Sequence, residues 1–324
     1  MRFYIFGGSG FIGSHLVTAV RAKYHTADII NLDLVENSHG GQVTYAACDV
    51  RKEIVLPDGV ATPGVDDIIV NLAAIHRTPG HPDYAYYETN ILGAKNISDF
   101  AARYGVRRMV FTSSIAPYAA SEDEKFEDTL PTPNTPYGIS KLVAENEHRT
   151  WQAGGADREL TILRPGVVFG LGEKGNFTRL YWGIRKRKFA FPGRKDTVKA
   201  CIYVKDLTGF ILYKIEHHEA GKTELYNCTY EPAYTIGQIV DHMKSVTGLK
   251  QWTPLAPKWL IMPAAYACML IGSPMGICPD RVRKLMVSTN ICGKKMAASG
   301  YKMRYTIDEA LADWFRDSGG EGMK

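Results

Sequence analysis

No two of the six cysteines stand at the spacing of a zinc knuckle or a redox pair; Cys48, Cys201, Cys228, Cys268, Cys278 and Cys292 are scattered along 324 residues. That argues against a thiolate metal site and a disulfide framework, and it points to a reducing, cytoplasmic setting. A strong charge imbalance is also lacking. The net charge of +5 suits a small anionic ligand and is too slight to suggest nucleic acid as a partner. There is no internal repeat and no low-complexity tract, and 23% charged with 45% hydrophobic residues is the composition of an ordered chain with a sizeable core. The opening "MRFYIFGGSG" breaks into glycines too early to read as a secretory leader. The longest apolar stretch, "WLIMPAAYACMLIGSPMGIC" at 259–278, contains Pro263 and Pro274. Its unbroken part, Leu260 to Ile271, falls short of the roughly 20 residues a membrane span needs. A buried or dimer-edge helix is expected there, with contact to one membrane leaflet as the alternative.

What is present is alternation. "RFYIFG" (2–7), "DIINLD" (28–33), "VTYAACD" (43–49), "DDIIVNLAA" (66–74), "RMVFTSS" (108–114) and "ELTILRPG" (159–166) are apolar, strand-length runs. Helical patterns fall between them at Phe11 to Lys23, at Asp83 to Tyr104 with Gly105 as a stop, and from the "PNTPYGISKLVAEN" stretch onward. The prolines and glycines at 57–64 predict an irregular crossover between the third and fourth strands. Such a pattern predicts an α/β fold with a Rossmann-type doubly wound parallel sheet, covered on both faces. Past Pro165 the alternation loosens into helices near 175–188, 205–218 and 235–248, strands near 198–204 and 224–230, and a tail helix at 306–317 with a threonine cap. The expected division is a dinucleotide domain over 1–165, with segments of about 198–230 returning to it, and a smaller mixed α/β C-terminal substrate lobe over 166–324.

"FGGSGFIGSH" places Gly7, Gly10 and Gly13 between a strand and a helix. Glycines there allow a tight turn and close approach of a pyrophosphate, which the helix N-terminus attracts. Asp33 ends the next strand, 20 residues past Gly13, where a carboxylate can accept from ribose hydroxyls. It would repel a 2′-phosphate, and "LVEN" after it offers no arginine, so NAD is favoured over NADP. Arg51 and Lys52 are the nearest cations that could reverse this preference. With a nicotinamide cofactor expected, Tyr137 and Lys141, four apart on a helix, become a proton-handling pair. A phenol ionises near pH 10; a nearby ammonium and an oxidised nicotinamide both favour the phenolate, and reaching neutrality takes about 3 pKa units, or about 4 kcal/mol.

On these motifs the chain resembles the extended short-chain dehydrogenase/reductases, in particular their nucleotide-sugar epimerase and dehydratase branch, of the UDP-glucose/galactose 4-epimerase type. "GGSGFIG" resembles the family's glycine motif, with Phe11 and Ile12 inside it, and "CDVR" its adenine-contacting element, which implies Asp49 and Val50 there. "NLAA" implies Leu72, Ala73 and Ala74 beneath the cofactor, and "TNILGAKNI" implies Asn90 as the structural asparagine of the central helix. "VFTSSIAPY" implies Ser114 as the catalytic hydroxyl, with Ser113 its rival by register; "YGISK" is the YxxxK itself. The resemblance implies that Tyr137 exchanges a proton with a sugar hydroxyl, that Lys141 tunes it and binds ribose, and that Ser114 holds the same substrate oxygen while a hydride passes to the cofactor. It further implies Asn176 and Lys199 at the substrate diphosphate, with Arg281 or Arg283 as a later contact, and a homodimer formed by helices 83–104 and 137–151. Lys199 departs from the family's arginine and loses its bidentate fork. Ile115 and Ala116 follow Ser114 where family dehydratases carry Asp-Glu, which disfavours dehydration. An NAD-dependent nucleotide-sugar epimerase, acting at C4, is therefore the favoured activity. A keto-sugar reductase or sterol-type dehydrogenase is the alternative, and a non-catalytic NAD-bound regulator the second.

Overall fold

The computed structural model describes residues 1–36, 43–76, 80–270, 282 and 286–324. Its first strand, β1 (Arg2–Phe6), shows why the sheet must be covered twice. Phe3 and Ile5 pack into one apolar cluster and Tyr4 and Phe6 into another, and all four are 0% exposed. Unbroken apolar strands of this kind belong to parallel sheets with helices on both faces. Above β1 lie α1 (Phe11–Lys23) and α6 (Val204–Glu216); below it lie α3 (Gly93–Arg103) and α4 (Pro136–Ala153).

Strands β2 (Asp28–Asp33), β3 (Val43–Ala47), β4 (Ile68–Asn71), β5 (Arg108–Thr112), β7 (Glu159–Pro165) and β12 (Thr223–Cys228) complete a seven-stranded sheet in the order β12-β7-β5-β4-β1-β2-β3, parallel throughout. The winding reverses between β1 and β4, and the crevice outside their carboxyl ends is where such sheets bind ligands. The crossover from β3 to β4 contains turns and no helix, as its prolines and glycines suggest. The expected long helix at 83–104 is instead three pieces: α2 (Asp83–Tyr86), a π-helical segment Tyr87–Leu92, and α3, after which Gly105 turns the chain at φ +67°. π-bulges cluster at functional sites, and this one carries Asn90.

The second half divides between sheet and lobe. β12 extends the main sheet beside β7. The run expected as one strand at 198–204 splits at Ala200: β10 (Val198–Lys199) joins a four-stranded lobe sheet, and β11 (Cys201–Tyr203) pairs with β8 (Val167–Phe169). The lobe sheet runs β13 (Tyr234–Thr235), β10, β15 (Thr289–Ile291), β6 (Ser121–Lys125), so the first half lends it an edge. α5 (Asn176–Arg185), α7 (Ile236–Thr247) and the helix Ile307–Asp317 close the lobe core around Phe169, Tyr181, Ile239 and Trp314.

The stretch beginning at Trp259 is not buried within the single chain, which leaves the dimer-edge and one-leaflet expectations open to test. α8 (Lys258–Leu270) continues through Pro263, and Trp259, Leu260, Pro263 and Tyr266 are exposed rather than buried; 271–278 lies outside the described residues. A helix apolar on all sides has no polar face to mark its outside, so sequence periodicity could not distinguish the two cases. Among the described residues no helix is long and apolar enough to cross a membrane.

The tail helix has a full capping box: Thr306 Oγ1 accepts from Glu309 N at 3.3 Å while Glu309 Oε2 accepts from Thr306 N at 2.8 Å. Thr306→Ala is expected to lower stability by about 1 kcal/mol, read as a lower midpoint with an unchanged slope in urea unfolding.

Candidate active site

The glycine turn is set by space. Gly7 has φ +81°, and a Cβ there would lie 2.8 Å from Ala73 N; a Cβ on Gly13 would lie 2.4 Å from Gly7 O. The turn therefore sits directly on the Leu72–Ala74 segment, whose Leu72 N donates to Phe6 O at 2.8 Å. Gly10 opens α1 and no side chain caps it, so the amides of Phe11 and Ile12 begin a helix with a bare, positive end. Asp33 Oδ2 accepts from Ser9 N at 3.0 Å, which places the carboxylate against the same turn. Two polar residues that the motif reading passed over fix this arrangement: Asn31 Nδ2 donates to Ser9 Oγ at 2.9 Å, and Ser9 Oγ donates to Val35 O at 2.5 Å. The asparagine inside the apolar "DIINLD" was the available signal. Asp49 takes three hydrogen bonds from Arg51, at 2.9 and 2.7 Å from the guanidinium and 3.1 Å from its amide, and these hold its carboxyl below the usual range. Arg51 is thus engaged by Asp49. Val50 turns its side chain into the core against Gly93.

Across the crevice, Thr135 caps α4 by accepting from Gly138 N at 3.1 Å, which positions Tyr137 in the first turn. The Ser114 hydroxyl lies near enough to the Tyr137 phenol to favour its ionised form, and Ser114 Oγ accepts from Ala116 N at 3.1 Å. Ser113 turns the other way and donates to buried Glu145 Oε1 at 2.6 Å. Lys141 is buried one turn on; its Nζ donates to Thr112 O at 2.9 Å and lies 4.7 Å from the centre of the Phe111 ring. Burial pushes its ammonium down to about 7, opposed by the charge of Glu145. The phenol itself is raised by the protein packed around it, with the nearby Ser114 hydroxyl offsetting part of that. The lowering expected from Lys141 is therefore not supplied by the side chains as they sit, because the ammonium is directed to a strand carbonyl.

Motif reading also passed over the continuation of this helix face. Tyr137, Lys141, Glu145 and His148 fall on one stripe of α4 at spacings of four, four and three. Glu145, 1% exposed, receives Arg164 Nε at 2.8 Å and Nη2 at 2.6 Å from β7. His148 accepts from Asn71 Nδ2 at 2.9 Å and its other nitrogen meets Ser98 Oγ at 2.9 Å; burial, then Lys141, lowers its pKa to about 3, so it is neutral. Asn90 Oδ1 accepts from Ile75 N at 2.9 Å, and its Nδ2 donates to Ile75 O at 3.1 Å and Ser140 Oγ at 2.8 Å. One side chain thereby ties the loop after β4 to the tyrosine's helix.

The residues expected at the substrate are dispersed over the lobe. Asn176 is exposed at the first position of α5 and accepts from Arg179 at 3.0 Å. Buried Glu173, which sequence reading missed, accepts from Thr178 N at 2.9 Å in the same turn. Lys199 donates to Val287 O at 2.6 Å, and burial lowers its ammonium to about 8. Arg281 and Arg283 lie outside the described residues.

A glycine turn at the switch point of a seven-stranded parallel sheet, facing a Ser–Tyr–Lys set, defines an extended short-chain dehydrogenase/reductase. A family model described as the NAD dependent epimerase/dehydratase family matches residues 3–229, and the chain belongs to that family. It is 30% identical over 312 residues, 95% of this chain and 92% of the relative, to N-acetyl-alpha-D-glucosaminyl-diphospho-ditrans,octacis-undecaprenol 4-epimerase of Escherichia coli O157:H7. It is 24% identical over 285 residues, 80% of this chain and 84% of the relative, to UDP-glucose 4-epimerase of Halalkalibacterium halodurans. Among solved structures, the Thermus thermophilus UDP-glucose 4-epimerase complex with NAD superposes with a TM-score of 0.74 at 18% identity, covering 99% of this chain and 100% of that one. The Bacillus cereus UDP-glucuronic acid 4-epimerase in complex with NAD gives a TM-score of 0.74 at 17% identity, covering 98% of each chain. At these identities the structures establish the shared fold.

The lowered lysine has a consequence that needs no ligand. Its folded value near 7 lies below the ordinary 10.5, so between those values the unfolded chain binds the extra proton. The stability contribution of Lys141 therefore rises with pH across that window and is least favourable below it. Lys141→Met is expected to raise the thermal midpoint relative to the native protein most below pH 7, with the gap narrowing as pH climbs toward 10.5; midpoints measured over that range check the slope.

Proposed function

We propose that the chain is an NAD-dependent epimerase of a diphosphate-linked sugar, inverting the C4 carbon. The observation that carries this reading is the placement of Tyr137 in the capped first turn of α4, with Lys141 one turn on anchored to Thr112 O and Ser114 next to the β5 end, at the carboxyl edge of the sheet where the glycine turn lies. The uncapped α1 end, the tight space at Gly7 and Gly13, and Asp33 fit a dinucleotide: amides of Phe11 and Ile12 at the pyrophosphate, the Asp33 carboxylate at the adenosine ribose, and Leu72 to Ala74 beneath. When bound, NAD accepts a hydride from the sugar carbon and can return it to either face. Tyr137 takes the proton of the C4 hydroxyl and later gives it back. Ser114 donates to the same oxygen and fixes its distance from the phenol. Lys141, held beneath by Thr112 O, adds positive charge near the ribose. Asn90 and the π-helical segment keep the loop after β4 in register with Tyr137.

Asn176 and Lys199 are assigned to the diphosphate, Lys199 as a single charge and not a fork. Among esters of that diphosphate, a polyprenol stands beside a nucleotide as a second reading. It is favoured because a relative 30% identical over 95% of this chain bears a polyprenol name, and because α8 presents apolar side chains outward. The chain is further proposed to form a homodimer through Tyr84, Leu92 and Ile139, exposed apolar residues on the 83–104 and 137–151 helices, and to work in the cytoplasm, in keeping with unpaired Cys48, Cys201, Cys228 and Cys292.

Denaturing the purified protein and identifying what is released by mass spectrometry tests the cofactor's role. Stoichiometric NAD, with inversion at C4 seen by NMR on UDP-sugars or a polyprenyl-diphosphate sugar, is the expected result. Consumption of NADH with a keto-sugar would overturn the epimerase in favour of a reductase. Tyr137→Phe is expected to retain NAD and lose turnover by roughly 10²–10⁴-fold.

A further inference from the structure

We infer that the edge of the lobe formed by Trp252, Leu255, Trp259 and Leu260, together with the basic turn Arg185–Lys188, is a docking surface for an anionic lipid bilayer. The four apolar side chains are 82%, 52%, 75% and 54% exposed. Scattered apolar residues on a surface need no explanation; four large ones within nine positions, two of them tryptophan, do. After Lys258, α8 has no charged residue, and among its described side chains only Ala265 is buried. That composition lies on an interface, and α8 is too short to cross one. Tryptophan favours the headgroup level, where its ring is half in hydrocarbon and half in water.

The charge next to this patch is what selects the partner. β9 (Phe191–Pro192) pairs in parallel with β14 (Leu255–Ala256), Leu255 opposite Phe191. Phe191 N donates to Pro254 O at 2.8 Å, and Gln251 Nε2 donates to Arg185 O at 3.5 Å, so the segment before β14 lies against the end of α5. Arg185, Lys186, Arg187 and Lys188 are all exposed, and Lys250 is exposed beside them. Arg185 is held by the Glu321 carbonyl and by Tyr181, with its guanidinium over the Trp182 ring, so this corner of the turn is fixed in place. Aromatic and aliphatic side chains bordered by several cations match a negatively charged membrane surface. A second copy of the chain fits less well: a two-fold contact would set each basic turn near its own like charges.

The surface also makes sense of the polyprenol reading, on which its biological purpose rests. α5 runs from Asn176, assigned to the diphosphate, to Arg185 at the basic turn, ten residues or about 15 Å. A lipid ester would then enter the cleft from the leaflet on which the lobe rests.

The test is flotation of the full-length protein with vesicles of phosphatidylcholine alone and of an equal mixture with phosphatidylglycerol. The native protein is expected to float with the mixture and to be released by high salt. Lys186→Glu with Lys188→Glu should weaken this binding at least about tenfold. Trp252→Ser with Trp259→Ser should weaken it comparably at low salt. Retained NAD and an unchanged thermal midpoint confirm that both variants are folded. Three results would overturn the inference: native protein left in the soluble fraction, equal flotation with both lipids, or light scattering that shows a dimer which the tryptophan variants break. Since the readout is partition and not turnover, failure here leaves the epimerase standing, and loss of epimerisation leaves the surface standing.

Discussion

A single buried carboxylate organises the face of the sheet on which the proposed chemistry depends. Glu145 is nearly out of contact with water, a position that is costly for a charge unless it is paired and fully hydrogen-bonded. Arg164 supplies two bonds from β7 and Ser113 a third from the end of β5. Apolar side chains of similar volume would give comparable or greater stability at such a site. Position is therefore the better account of the pair. Ser113, bonded to Glu145, fixes the strand end so that its neighbour Ser114 faces Tyr137. The same charge opposes the desolvation that lowers Lys141, four residues earlier on the helix.

Much of this was legible in the sequence where the controlling forces are local. The glycine turn, Asp33 at the end of β2 and the boundaries of α1 follow from apolar period and from glycine's lack of a side chain. Tyr137 and Lys141 follow from helical spacing. The choice between Ser113 and Ser114 was not local. Successive residues at a strand end point to opposite sides, and only the arrival of Glu145 from another element determines which side is the crevice. Arg164 and Glu145 are 19 apart with no pattern joining them, and β6 meets β15 across more than half the chain. The π-helical insertion has no sequence signature of its own; only Asn90 and its bonds to Ile75 reveal why the extra residue is accommodated. α8 defeated periodicity for the opposite reason: with no polar face, its outward side could not be told from its inward one.

The phenol closes the argument, because its behaviour differs from the simplest expectation. Among the protein's own groups, burial raises Tyr137 and a serine only partly offsets it, while Lys141 is directed at a carbonyl. A residue so placed resists losing its proton until another positive charge arrives beside it. In the proposed reaction that charge belongs to the oxidised state of the cofactor and vanishes when the ring is reduced. Tyr137 would thus release its grip on the proton when a hydride can be accepted, and hold it firmly while the hydride is stored. The coupling needs no moving part in the protein, only a phenol kept reluctant by its surroundings. It also suits an enzyme that must return both proton and hydride to the same sugar, since a tyrosine already ionised by its neighbours would have no such dependence on the cofactor's charge.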